Sequence, residues 1–247
     1  MPGISISLDE ARSARALRRL TSLLTPEPVF KLHTDSAPDR VQVEQYIADH
    51  FLEVHQAHIH DFMPSLLTMN CHGHTSAAMG LRPAAGQPLF LERYLSQPVE
   101  QAIETATSRF APRGRITEIG NLVATRRGSS QLLFLLTTAI LAQTRFDWVV
   151  FTATPVVRKS LEALGIELHV LGQADTSTLS ESELEDWGSY YDQRPMVVAG
   201  HVGTGMARLS HVRLFSGMLS LYSDTIAELS RAIDQAESTV GTHAFAA

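Results

Sequence analysis

The spacing of apolar residues changes period several times along this chain, and each change marks an element. Val29-Phe-Lys-Leu-His33 alternates as an opening strand does. Val41, Tyr46, Ile47, Phe51 and Val54 then recur at helical spacing, which predicts an amphipathic helix over residues 39–56. Two apolar runs, 66–72 and 76–82, flank Gly73-His74 and read as an antiparallel hairpin. An apolar stretch at 88–95 leads into Ser96-Gln97-Pro98, a polar cap and a proline that open a helix running to about Arg109. The centre of the chain reads strand 116–124, a Gly-Ser turn, a wholly apolar helix 129–144, strand 147–152, helix 155–164 and strand 166–171. Residues 172–185 are polar and acidic, a loop, and 196–201 form a last strand. Phe215, Leu219, Tyr222, Ile226, Leu229 and Ile233 then follow a 4,3,4,3,4 spacing. That is the seam of an amphipathic helix, which docks on the core or, in the sharper alternative, on a second subunit as a homodimer.

This order gives an α/β (α+β) fold, a mixed sheet covered by helices with a C-terminal amphipathic helix. It is similar to the acetyltransferase-like (GNAT) architecture, in which two splayed central strands admit a donor's pantetheine arm as if it were another strand. Three parts are expected: an N-terminal arm (1–27), a GNAT-like catalytic domain (28–202) and a C-terminal helical extension (203–247).

Composition narrows the partners. The net charge of −6 argues against nucleic acid, which needs a basic face, and leaves only local basic clusters. The single cysteine, Cys71, rules out an intrachain disulfide and suits a reducing compartment, so a cytoplasmic address is expected. Residues 1–20 mix acidic residues with arginines and show no apolar signal region. The longest apolar stretch, 132–142, is broken by Thr137 and Thr138 and is too short to span a bilayer, so no transmembrane segment is expected.

The turn Thr125-Arg126-Arg127-Gly128-Ser129-Ser130 carries the most specific chemistry. A helix starting on such a turn offers unpaired backbone N–H groups and a positive dipole end to an anion. It lacks the Gly-Lys-Ser/Thr ending of a Walker loop, and no Gly-x-Gly-x-x-Gly follows a strand. What remains is a ligand such as the pyrophosphate arm of coenzyme A or the phosphopantetheine of an acyl-carrier protein, or else a plain surface turn with solvated arginines.

Four ordered motifs, Leu91-Glu-Arg-Tyr-Leu95 with Gln97-Pro98-Val99-Glu100, Glu118-Ile-Gly-Asn-Leu122, Trp148-Val-Val-Phe-Thr-Ala-Thr154 and Trp187-Gly-Ser-Tyr-Tyr191, resemble the bacterial thermostable hemolysin family over residues 40–202. That family's fold is related to GNAT enzymes and more distantly to acyl-homoserine-lactone synthases, so the resemblance implies acyl transfer from an acyl-CoA or acyl-carrier protein. Fatty acyl is favoured over acetyl by the lactone-synthase analogy alone. The aromatic and acidic N-terminal signature of the lactone synthases is missing, and a single Gly128 stands where two small residues usually flank the GNAT donor turn.

Acyl transfer to an amine needs a proton acceptor, an acid for the leaving thiolate and a way to hold both substrates. Glu118, on the strand beside the donor, is the candidate base, or else a solvent-side residue or a partner of Arg115. Tyr191 is the candidate acid, with Tyr190 beside the substrate; two tyrosines next to Trp187 equally suit core and rim packing. On a strand Glu92 and Arg93 face opposite sides, and Arg93 offers a two-bond fork to an acceptor's carboxylate or a structural ion pair. Asn121 either orients substrate or pins a bulge. Leu122, Val123 and Ala124 would present backbone to pantetheine, and Arg126, Arg127, Gly128, Ser129 and Ser130 would bind its phosphates. Thr152 and Thr154 line the donor site or cap the next helix. His55, His58, His60, His72 and His74 lack any metal-binding pattern, so no metal is expected. Two rival functions stay open: a membrane-active hemolysin that lays its C-terminal helix on a bilayer, and a catalytically inactive ligand-binding GNAT-like domain.

Overall fold

The alternating stretches become the seven strands of one sheet: β1 (Val29–His33), β2 (Ser65–Cys71), β3 (His74–Pro83), β4 (Ile116–Ala124), β5 (Trp148–Ala153), β6 (His169–Gln173) and β7 (Met196–His201). They lie in the order β1-β2-β3-β4-β5-β7-β6, and every neighbouring pair is antiparallel except β4 and β5. The computed structural model describes residues 27–125 and 128–243, so the expected N-terminal arm and the turn residues Arg126 and Arg127 lie outside the described residues. The helices are α1 (Arg40–His55), α2 (Val99–Thr107), α3 (Ser129–Leu141), α4 (Pro155–Glu162), α5 (Glu181–Trp187), α6 (Val202–His211), α7 (Arg213–Leu221) and α8 (Ser223–His243). The architecture is a mixed sheet covered by helices.

Successive residues of the hairpin point to opposite faces, and both faces are covered. Leu66 and Ala78 pack under α1 with Val43, Ile47 and Phe51, while Leu67, Met69 and Met79 pack under α3. The hairpin therefore reads as two nearly continuous apolar runs. Its turn falls on His72 and Gly73, at φ of 56° and 79°, one residue earlier than expected, as a tight two-residue hairpin with two left-handed positions requires. Helix α3 is apolar all round because the sheet covers one side and α6 to α8 the other; Leu132 to Leu136 are all at most 4% exposed.

Four expectations change. Residues 90–94 coil into a 3-10 turn, so Glu92 and Arg93 do not alternate across a strand. The sixth strand starts at His169 rather than at 166. Part of the expected acidic loop is helix α5, started by a reciprocal cap in which Ser180 Oγ accepts from the Glu183 N–H and Glu183 accepts from the Ser180 N–H. The C-terminal seam runs over α7 and α8, and Phe215, Leu219, Tyr222, Ile226, Leu229 and Ile233 are all buried inside this chain. Ser230 Oγ donates to the Ile140 carbonyl of α3 at 2.8 Å, and Tyr222 meets Phe30 of β1 edge to face. The seam is thus filled from within this chain. Among the described residues no helix is long and apolar enough to cross a membrane.

Candidate active site

Strands β4 and β5 part company halfway along. They pair from Ile116 with Trp148 to Ile119 with Phe151, and beyond Ile119 no residue of β5 pairs with β4. The cause lies on the other edge of β4. Gly80 pairs with Gly120 and Ala78 with Val123, so two steps on β3 face three on β4, a bulge at Asn121 and Leu122 that turns the strand away from β5.

Asn121 sits at φ 48°, the left-handed region that asparagine tolerates better than most side chains. Its Oδ1 accepts from the Met63 N–H at 2.8 Å and its Nδ2 donates to the Asp61 carbonyl at 3.2 Å. The Asn121 amide therefore ties the loop after α1 to the bulge. Met63 in turn lies across the two paired glycines, where a Cβ on Gly80 or Gly120 would come within 2.4 Å or 2.3 Å of its carbons. At Gly80 the clash is with Cβ and Cγ, which the backbone of that loop fixes, whereas at Gly120 it is with the terminal methyl, which can turn aside.

The parted strands open onto a cavity of about 280 Å³. Phe51, Phe90, Phe151, Trp187, Tyr190 and Tyr191 give it an aromatic wall, and Arg82, Glu118 and Asn121 stand among them. On the other side of the sheet a smaller, apolar cavity of about 40 Å³ shares Ile119, Leu122 and Phe151 with the first and continues between α3 and α4, past Phe134 and Leu161.

Glu118 is 3% exposed on β4, and burial pushes its carboxyl up to about 7, against the pull of Arg82 and of the backbone N–H groups of Leu91 and Phe90. Leu91 N–H donates to its Oε1 at 3.2 Å, while Oε2 is buried without a hydrogen-bond partner. A carboxyl group balanced between its two forms near neutral pH can take up a proton or release one. It makes no bond to Arg115, which pairs instead with Asp147.

Tyr190 and Tyr191 both line the cavity. The Tyr190 hydroxyl donates to the Thr152 carbonyl at 3.4 Å, and the Tyr191 and Tyr94 hydroxyls share a hydrogen bond. Burial raises all three phenols, Tyr94 to about 12, so each keeps its proton at neutral pH.

Glu92 and Arg93 lie off the cavity wall, which corrects their expected place beside a substrate. Glu92 accepts from Arg113 through both oxygens at 2.7 and 2.8 Å and also caps the N–H groups of Leu89 and Val99. The Arg113 guanidinium beside it holds its carboxyl down at about 2. Glu92 thereby fixes the 3-10 turn that aims the Leu91 N–H at Glu118. Arg93 pairs with Glu183 through Nη1 at 2.6 Å and lies over the Phe90 ring at 4.2 Å, away from the cavity lining.

Leu122 lines both cavities, whereas Val123 is buried under α1 and Ala124 pairs with Ala77 of β3. Gly128 precedes α3 at φ 85° with no side-chain cap, and Ser129 Oγ is fully buried with no hydrogen-bond partner. The helix start followed by Ser130 therefore has unspent donors, though it lies past the residues that line the larger cavity. Thr154 caps α4, its Oγ1 accepting from the Val157 N–H at 3.4 Å, and it also lines the cavity.

The histidines do not converge. His55, His58 and His60 line the cavity, His72 and His74 are exposed at the hairpin turn, and among the described residues no group of three or more His, Cys, Asp or Glu is placed to hold a metal ion. Cys71 is buried in the core, where its sulfur meets Ser76 Oγ. The residue that sequence reasoning passes over is Arg82. Its signal was a lone cation at the end of a strand whose other residues are small or apolar.

No curated protein matches the chain. Among solved structures it is similar to FeeM, an N-acyl amino acid synthase from uncultured soil microbes, at 12% identity over 73% of this chain and 94% of that one, with a TM-score of 0.50. It is also similar to BjaI, a CoA-dependent acyl-homoserine lactone synthase solved with SAM and isopentyl-CoA, at 10% identity over 76% of this chain and 89% of that one, again with a TM-score of 0.50. At these identities the likeness establishes a shared fold. Residues 33–206 match the family described as thermostable hemolysin, and since that stretch is well over half of the sequence, the chain belongs to that family.

Proposed function

We propose that this protein is an N-acyltransferase that moves an acyl group, fatty rather than acetyl, from the thioester of an acyl-CoA or acyl-carrier protein to the amine of a small acceptor. The observation that supports it most is the parting of β4 from β5 after Ile119, with the buried carboxyl of Glu118 at the fork. A pantetheine arm is an extended chain with amides of its own, and the unpaired edge of β4 from Gly120 to Ala124 offers it a strand's hydrogen bonds. Its phosphates would then reach the start of α3 at Gly128, Ser129 and Ser130; Arg126 and Arg127, expected to join them, lie outside the described residues. The apolar cavity past Ile119 and Leu122, about 40 Å³, has the polarity an acyl tail needs and room for its first carbons, so a longer chain requires it to widen between α3 and α4.

In the reaction the acceptor nitrogen attacks the thioester carbonyl carbon. Glu118 takes the amine proton, the new C–N bond forms as the C–S bond breaks, and the departing thiolate accepts a hydrogen bond from the Tyr191 hydroxyl and takes up the proton held by Glu118, which restores the carboxylate. Glu118 must be ionised to act, so the rate should rise with pH through about 7.

Incubating the purified chain with acyl-CoA and acyl-carrier-protein donors of graded length and a panel of amines, with thiol release and product masses followed together, tests this. An amide product is expected, and Glu118→Gln should lower kcat by about 100-fold with little change in donor affinity. Thiol release without any amide, or none from any donor, contradicts the reading.

A further inference from the structure

Two polar atoms in the cavity are buried without a partner, Glu118 Oε2 and Arg82 Nε, and they belong to residues directly opposite one another on β4 and β3. Cross-strand partners share a face with their Cβ atoms about 5 Å apart. Both side chains line the cavity, yet neither hydrogen-bonds the other and no ion pair joins them. A cation and a carboxyl group left this way in a buried place are expected to meet a ligand that satisfies both.

The other arginines around the 3-10 turn are committed. Arg93 is held by Glu183, and Arg113 by Glu92 and Glu100. Arg82 is also far from the expected phosphate cradle: Glu118, its partner, is six residues before Ala124, roughly 20 Å along an extended strand. An anion at Arg82 therefore belongs to the acceptor and not to the donor's phosphates.

We infer that Arg82 anchors the carboxylate of an α-amino acid acceptor while its amine lies at Glu118. The two charged ends of such a molecule sit on neighbouring carbons, which matches two side chains that project from paired positions. The guanidinium fork takes the carboxylate, and the amine hands its proton to Glu118 Oε2. The acceptor's side chain then faces Phe90, Trp187 and Tyr190, which favours an apolar or aromatic one. This inference rests on the acyl-transfer reading for its chemistry but not for its binding site.

The test compares the common α-amino acids with their carboxamides, which keep the amine and lose the anionic end, in both calorimetric binding with CoA present and acyl transfer. Wild type should prefer the amino acid by about tenfold or more, and Arg82→Gln should erase that preference by raising KM for the amino acid while the carboxamide changes little. Arg82→Lys, which keeps the charge without the fork, should recover part of it. Melting temperature and CoA affinity, measured on each variant, identify one that has misfolded, and the wild-type comparison needs no variant at all. Equal use of carboxamide and amino acid by wild type, or equal losses for both in Arg82→Gln, overturns the anchor and leaves acyl transfer standing. Arg82-dependent amino-acid binding without thiol release supports the anchor and leaves the transfer reading to fall alone.

Discussion

Glu118 and Glu92 both accept backbone N–H groups at the 3-10 turn, and their surroundings push them in opposite directions. Glu118 sits above its ordinary value of 4.5, at about 7, because it is buried with one oxygen unpartnered. The unfolded chain therefore gives up this proton first, so stability falls as pH rises from about 4.5 to 7 and the full penalty, about 3 kcal/mol, persists above that. Glu118→Gln should accordingly raise the melting temperature at pH 8 and leave it unchanged near pH 4 while it lowers turnover. A pH-independent effect in thermal unfolding would show that Glu118 is not buried as a carboxyl group. Glu92 is the reverse case, held at about 2 by Arg113, so its contribution is present above 4.5 and is lost as pH falls towards 2. Replacing it with Gln should cost about 3 kcal/mol at pH 7 and progressively less in acid. The sequence made Glu118 visible as a carboxylate in an apolar strand. It hid the work of Glu92, because that depends on Arg113, distant in the chain and brought near only by folding.

At the scale of elements, the site is made by a bulge, a pair of glycines and a methionine. Asn121 within Glu118-Ile-Gly-Asn-Leu122 was legible as a buried amide needing partners, and it has them on the loop at Asp61 and Met63. Gly80 was not legible as anything but a small strand residue, since its need for space comes from Met63, which reaches it from a different loop. Gly80→Ala should destabilise the fold by about 1–3 kcal/mol and shift the loop that carries His58, His60 and Asp61. Urea unfolding measures the first effect and acceptor KM the second; a variant with both unchanged would mean that Met63 moves aside freely. Helix α5 was readable in retrospect from Ser180 and Glu183, whose capping box outweighs the polar composition that suggested a loop. The turn at 90–94 had no such signal, because its carboxylate clamp lies on Arg113.

For the whole molecule, the succession of strands along the chain and the apolar helix α3 were plain in the periodicity, and so was the seam from Phe215 to Ile233; the place of β7 between β5 and β6 was not. What covers that seam was not, because a 4,3 spacing serves an internal partner as well as an external one. Within this chain it closes over α3 and β1, so Ile233→Ala should lower stability by about 2–4 kcal/mol without changing oligomeric state, as sedimentation would show. Direct attack on a bilayer through this helix would first have to strip it from the core and expose α3. On the proposed function the donor's arm lies in the space between β4 and β5. A crystal structure with a non-reactive acyl-CoA thioether tests it most directly. The account predicts pantetheine hydrogen-bonded along β4 from Gly120 to Ala124, with its phosphates at the start of α3 and the acyl tail passing Ile119 and Leu122. A donor bound elsewhere, with β4 and β5 paired beyond Ile119 and Phe151, would contradict it.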